Sequence, residues 1–300
     1  MAYSFKISDD SLTAAVRRVA LDQIDTALAE AAEAEISEAE RIHQLRKRCK
    51  KLRGLIRLVR PGFADYSREN AMFRSTAHGL ADVRDARALV ETCDALKAQF
   101  DNQLYANAFS SIRNHFEKRA QEVESAPDLG ERLEEAADAF RDARERACTW
   151  TVDPNGAKSI AGGVQKTYGR GCTAMKAARK TPTGENLHEW RKRAKYHWYH
   201  LRLLKHTSPV AKAEVGPAEE LADLLGDHHD IHVMGEALEA AGEIADADAL
   251  TAFRGLMRAR QDMLEAEAFR LGRAVFVEPP KVAADRLATY WTVWRKAAGS

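Results

Sequence analysis

Apolar residues recur along this chain at intervals of three and four, within long segments rich in Ala, Leu, Glu, Arg and Lys, and no stretch shows the strict alternation of a strand. The pattern predicts an all-α fold. Breakers at 60–63 (RPGF), 126–130 (APDLG), 152–156 (VDPNG), 181–184 (TPTG), 208–210 (SPV), 215–217 (VGP) and 277–281 (VEPPK) divide it into about ten helices, five per half. The intervening loops are short enough for antiparallel bundles. Ser37-Glu38-Ala39-Glu40 has the form of a capping box that opens one helix, and Pro61-Gly62 closes it.

Within that helix, at about 100° per residue, Ile42, Leu45, Cys49, Leu52, Ile56 and Val59 share a side suited to a core. His43, Arg46, Lys47, Lys50 and Arg57 form a stripe on the opposite side, with Arg53 at its edge. The design returns 145 residues later, where His188, Arg191, Lys192, Lys195, Tyr199, Arg202 and His206 oppose Leu187, Trp190, Ala194, Leu201 and Leu204. The same shift carries LADVRDARAL (80–89) onto LGDHHDIHVM (225–234), aligning Asp82 with Asp227 and Asp85 with Asp230. One ungapped offset serving two separated motifs predicts an internal duplication, with 1–150 and 151–300 as half-repeats of one domain built from two pseudo-symmetric antiparallel bundles.

Charge sharpens the picture. Lys and Arg number 46 against 45 Asp and Glu, a formal +1, so global attraction to a polyanion or an anionic membrane is not expected. The distribution is uneven: residues 41–60 hold nine basic and no acidic side chains, and 188–206 hold six basic residues and only Glu189. Everything else is therefore net acidic. Like charges at i and i+4 repel by a few tenths of a kcal/mol each, so a stripe this pure has a folding cost that a bound anion would offset. A single charge run reads as a solvated face; two copies that both begin with His and both exclude acids point to a partner. Phosphate suits rows of Arg and Lys, and rows on two helices suit a chain of phosphates. A histidine beside phosphate favours its cationic form, so affinity is expected to rise on mild acidification.

The four cysteines, Cys49, Cys93, Cys148 and Cys172, are far apart and form no C-x-x-C pair, which reads as reduced thiols in a cytoplasm. The opening MAYSFKISDD lacks a signal-peptide pattern and no segment approaches about eighteen uncharged apolar residues, so a soluble cytoplasmic protein without membrane association is expected. No cofactor is implied.

Three rival readings arise from the residues. DHHDIH (227–232) sets His228 and His232 four apart with Asp227 and Asp230 nearby, a spacing that permits a metal-dependent phosphohydrolase. Its first-half counterpart, DVRDAR, has no His, so the shared element is the aspartates, and Asp85 and Asp230 read as orienting carboxylates for the basic helices. A nucleic-acid module would use the basic helices in a groove, but the near-neutral total charge and the apolar-side placement of Trp190 argue against it. A protein scaffold would use Tyr290, Trp291 and Trp294, which otherwise read as core of the last helix.

The two copies of H-x-x-R-x-x-x-K, followed by the Asp85 and Asp230 motifs in a duplicated helical chain, resemble the conserved histidine α-helical domain, CHAD, over residues 8–297. That resemblance implies two pseudo-symmetric bundles around a basic central groove or pore, and binding of inorganic polyphosphate instead of catalysis. It implies contact by His43, Arg46, Lys50, Lys51 and Arg53 on the first helix and by His188, Arg191, Lys192 and Lys195 on the second, with Arg84 and Asp85 as the family's Arg-Asp pair. The implied partners are polyphosphate granules and separate polyphosphate-using enzymes. Trp198 stands where the first copy has Arg53, and His229 where it has Arg84, so the second half is expected to contact phosphate less densely. KTYGRG (166–171) resembles the segment before the second histidine helix; Cys172 follows it where a basic residue is usual, while Lys166, Arg170 and Lys180 share a face towards the groove. Gly162, Gly163, Gly169 and Gly171 read as close-packing positions, since no G-x-x-x-x-G-K-[ST] pattern is present. The E-x-E-x-K strand of the CYTH triphosphatases that many relatives carry is also missing, so no phosphate-cleaving chemistry is expected.

Overall fold

The computed structural model describes residues 3–100, 106–154, 156–242 and 244–297, with the backbone alone at 106–108. Every regular element among them is helical. In the first half these are α1 (Leu12–Ala32), α2 (Glu38–Leu58), α3 (Tyr66–Gly79), α4 (Ala81–Gln99), α5 (Ala106–Glu124) and α6 (Leu129–Ala147). The second half holds α7 (Ala157–Lys180), α8 (Gly184–Leu204), α9 (Pro209–Ala213), α10 (Val215–Ala241), α11 (Ala247–Val275) and α12 (Pro280–Ala297). The sequence reading of about ten falls two short of these: α3 and α4 part at Gly79-Leu80 without a proline, and the five-residue α9 is too short to show a period.

Neighbours follow the same order in both halves. Helix α1 packs on α2 and α6, as α7 packs on α8 and α12; α4 pairs with α5, as α10 pairs with α11. The halves then meet through α2 against α8 and α4 against α10. Two hydrophobic clusters result, one threading α1, α2, α6, α7, α8 and α12, the other joining α4 and α5 to α10 and α11. Each draws on both halves, so the two are fused through common cores.

Two glycines let the central helices approach. A Cβ on Gly54 would stand 2.9 Å from the Tyr199 Cβ, which is why α2 and α8 touch there. At Gly163 a Cβ would overlap the Leu58 carbonyl oxygen at 1.8 Å, so α7 seats directly on the last turn of α2. The apolar side expected of α2 is the buried one: Ile42, Leu45, Cys49, Leu52, Ile56 and Val59 are all 0% exposed. Trp291 is likewise core, edge-on to Phe5 with centroids 5.5 Å apart.

Candidate functional site

Helix α2 starts at Ser37, whose Oγ accepts from the Glu40 backbone N–H at 3.2 Å; the return arm of the box is replaced by a 2.5 Å bond from Gln44 to the Glu40 carboxylate. Helix α8 starts in the same way, Thr183 Oγ1 accepting from Asn186 N at 3.3 Å. With their apolar sides fixed in the core and Gly54 holding them together, the basic sides of α2 and α8 meet above Tyr199. There Lys50 and Arg53 from α2 and Arg191, Lys192 and Lys195 from α8 line a cavity of about 360 Å³. Tyr196 and Tyr199 form part of its wall, and Asp223, Asp227 and Asp230 of α10 close the far side.

Tyr196 also lines a notch of about 10 Å³, roughly one water, where Arg57 and Arg60 face Lys166, Arg170 and Arg193. The Arg57 guanidinium lies 4.3 Å over the Tyr196 ring, so the two cavities adjoin at this stack. Helix α3 aims the first-half cations: Arg57 donates to Tyr66 Oη at 2.7 Å and to Asn70 Oδ1 at 2.8 Å, and Arg53 donates to the same amide oxygen at 3.3 Å. Among the described residues, Lys50, Arg53, Arg57, Arg60, Lys166 and Arg170 have no carboxylate within 4.0 Å, although the chain makes many ion pairs elsewhere.

The crowding shows in proton affinities. Lys50 opens to solvent yet is walled by protein, and desolvation, followed by the charges of Arg46, Arg191, Lys195 and Arg84, lowers its pKa to about 8. Arg60 is the main cause of a lowered pKa at Lys166, and Arg193 of a lowered pKa at Arg170; burial does the same to Arg53.

Other expected cations sit apart. Arg46 is mostly enclosed, donating to the Ala77 carbonyl at 2.6 Å and lying 3.4 Å from Asp85. Its counterpart Arg191 lies 4.0 Å from Asp230, so both aspartates do face an arginine of a histidine helix. Lys47 is exposed and bonds Gln44 at 3.3 Å. Lys51 is buried beside Tyr3, its ammonium 6.0 Å from the ring, and desolvation lowers its pKa to about 8. Arg202 stacks on Tyr3 and Trp198 at 5.5 and 4.7 Å. Lys47, Lys51 and Arg202 line none of these cavities, because the run turns through more than one face of the helix.

The histidines flank the central cavity without lining it. His43 lines a separate space of about 380 Å³ with Arg84, Arg87 and the acids Glu40, Glu91 and Glu124. At the matching place in the second half, His188 meets His229, Nδ1 to Nδ1 at 3.1 Å with ring centroids 4.1 Å apart. Burial, then Lys192 and Arg191, draws His188 down to about 4; burial and Arg191 draw His229 to about 3. Both rings are therefore neutral near pH 7 in the free protein.

The second half lines these cavities with more cations, but four of them are paired: Arg191 lies 4.0 Å from Asp230, Lys192 2.6 Å from Glu189 and Lys195 3.2 Å from Asp223, and Arg193 also meets Glu189. The adjoining cavities take Lys50, Arg53, Arg57 and Arg60 from the first half, but Arg191, Lys192, Lys195, Lys166, Arg170 and Arg193 from the second. Trp198 does not thin the charge, since Lys195 lies 4.3 Å from its ring and Arg202 caps it as well. Sequence reasoning passed over Arg60, Arg193 and Tyr196; the first two stand inside the basic runs, and only the α7 contact shows that they face Lys166 and Arg170.

The metal reading loses its geometry. Asp227 turns to Arg260 at 4.0 Å, Asp230 to Arg191, and His232 to Glu236 at 3.8 Å, while His228 is buried with His232 and Asp262 as its neighbouring titratable groups. Among the described residues, no three His, Cys, Asp or Glu side chains gather closely enough to share an ion.

Comparison with known proteins agrees with this architecture. The crystal structure of the CHAD domain from the plant Ricinus communis matches with a TM-score of 0.61 at 19% identity, covering 92% of this chain and 93% of that chain, a likeness of fold. A search of curated proteins found no match. The family model for the CHAD domain matches residues 17–239, well over half of the chain, and this protein belongs to the CHAD domain family.

Proposed function

We propose that this CHAD domain is a non-catalytic receptor for inorganic polyphosphate, held along one groove formed by the two adjoining cavities. The observation that carries the reading is the set of cations without carboxylate partners, Lys50, Arg53, Arg57, Arg60, Lys166 and Arg170, drawn from α2, α7 and the turn after α2. A protein with so many Asp and Glu residues leaves these groups unneutralised at a folding cost, and a linear polyanion would neutralise several at once. In this reading Arg46–Asp85 and Arg191–Asp230 brace the groove, and the histidines close its flanks. No described helix is long and apolar enough to cross a membrane. Polyphosphate in the cytoplasm or in its granules, handled there by separate enzymes, is the setting this activity would serve.

Calorimetric titration with size-defined polyphosphate, with pyrophosphate and duplex DNA as controls, tests the proposal. Lys50→Gln combined with Arg170→Gln removes two exposed cations that hold no internal partner, so helicity should be unchanged. Loss of a charged hydrogen bond is worth roughly 1.5–3 kcal/mol, and the pair should weaken binding by two orders of magnitude or more. Unchanged affinity in this variant, or DNA displacing bound polyphosphate while polyphosphate fails to displace DNA, would overturn it.

A further inference from the structure

A second cavity, of about 270 Å³, opens on another side of the molecule between α7, α8, the α9–α10 turn and α12. We propose that it binds a small neutral aliphatic molecule carrying one hydrogen-bond-accepting oxygen. The cavity has mainly carbon walls, and two side chains at its lining, Val277 and Val210, are 73% and 48% exposed.

Almost all of its polar groups are already engaged. Tyr168 Oη donates to the Val275 carbonyl at 3.1 Å and accepts from the Glu278 N–H at 3.1 Å. Arg286 lies 2.7 Å from Glu214 and 2.6 Å from Glu278. Two groups stand out: Arg286 Nη1 is ion-paired with Glu214 but makes no aligned hydrogen bond, and His197, 3% exposed, lines the cavity with an Nδ1 that has no partner. Burial lowers its pKa to about 4, so the ring is neutral and carries one proton. An orphaned N–H is rarer in folded proteins than an under-satisfied acceptor, which puts the bare lone pair on the enclosed Nδ1 and the proton on Nε2. That N–H requires an acceptor.

Water that enters this open space meets mainly carbon walls and is held poorly there, so a ligand that covers those walls displaces it at little cost. A ligand whose aliphatic body covers the carbon walls and whose oxygen accepts from His197 satisfies both surfaces. Two carboxylates set against one guanidinium leave the rim net negative, which disfavours an anionic head group. This site thus selects against the kind of ligand proposed for the basic groove, and neither reading depends on the other.

Matched six-carbon probes decide it. 1-Hexanol and hexanoate are titrated into the full chain while imidazole ¹⁵N signals are followed by NMR. The expected result is a saturable shift at His197 with hexanol, at least tenfold weaker binding of hexanoate, and an unaltered polyphosphate titration in the presence of hexanol. Ala213→Phe and Ala274→Phe, at exposed lining positions, should each abolish the saturable shift with no change in melting temperature. If one fails to fold, the other carries the test. No saturable shift in the wild type, equal binding in the folded variant, or hexanoate binding as tightly as hexanol would overturn the proposal.

Discussion

Lys50 is where folding and anion binding pull in opposite directions. Its pKa of about 8 lies below the roughly 10.4 of a free lysine, so the folded state holds that proton less tightly than the unfolded chain. The stability this difference represents is present above the unfolded value and lost as pH falls through about 8, because protonation then places a charge in a desolvated position and beside Arg46, Arg191, Lys195 and Arg84, with Asp230 the facing acid. A polyanion prefers the protonated form. Polyphosphate affinity should therefore be greatest below pH 8 and decline by up to tenfold per pH unit above it, and binding at pH 8.5 should take up protons, as calorimetry in buffers of differing ionisation enthalpy would report. Lys51 also titrates near 8 but outside the cavities, so Lys50→Met distinguishes them: it should remove the inflection. With His188 near 4 and His229 near 3, no further gain is expected between pH 7 and 6. A steep rise there would mean that the histidines contact the ligand directly.

The contacts of α2 with α8 and α7 decide whether the cations converge at all. Gly54→Val would drive a branched side chain into Tyr199, and overpacking of this kind costs about 1–3 kcal/mol. For a chain of this size that is a fall in melting temperature of several degrees, at about 2–4 °C per kcal/mol. Polyphosphate affinity should fall with it, because the variant separates Lys50 from Lys195. Gly163→Ala, against a backbone carbonyl that cannot rotate away, should be at least as damaging to the melt while leaving the α2–α8 contact in place. The apolar sides of α2 and α8 were legible in the sequence because burial follows the helical period, and the reading of Asp85 and Asp230 as carboxylates for the basic helices came from the single offset that links them, while the arginine each one meets did not. The distribution of the basic residues was not. Period alone places Lys47 and Lys50 on one stripe, but whether a neighbour covers the stripe depends on crossing geometry, and here α8 reaches Lys50 and Arg53 while leaving Lys47 in solvent. Lys51, three residues before Gly54, is covered instead by Tyr3 from a segment with no motif. The contribution of α7 was half visible: Lys166 and Arg170 could be placed on a face, yet their partners Arg60 and Arg193 emerge only from the seating of Gly163 on Leu58.

A chain of near-neutral total charge that gathers cations in one groove should respond to its ligand as a whole, and salt is the variable that exposes this. If the six cations without a carboxylate partner are neutralised by a single-stranded polyanion, the logarithm of affinity should fall with the logarithm of salt with a slope of about −4, roughly two orders of magnitude between 50 and 200 mM. Pyrophosphate spans too little of the groove to engage more than a few of them and should show a slope less than half as steep. The same neutralisation should stabilise the fold: at a thousand times its dissociation constant a ligand contributes about 4 kcal/mol, which for a domain of this size raises the melting temperature by about 10 °C. Because α2 and α8 share cores with both halves, the rise should appear as one cooperative transition displaced upward, without a separate unliganded half melting first. Scanning calorimetry with long polyphosphate at low and high salt measures both quantities together. A melting shift that survives high salt, or one that pyrophosphate reproduces at equal phosphate concentration, would mean that a compact local site binds the anion, and that the two ridges do not act as one track.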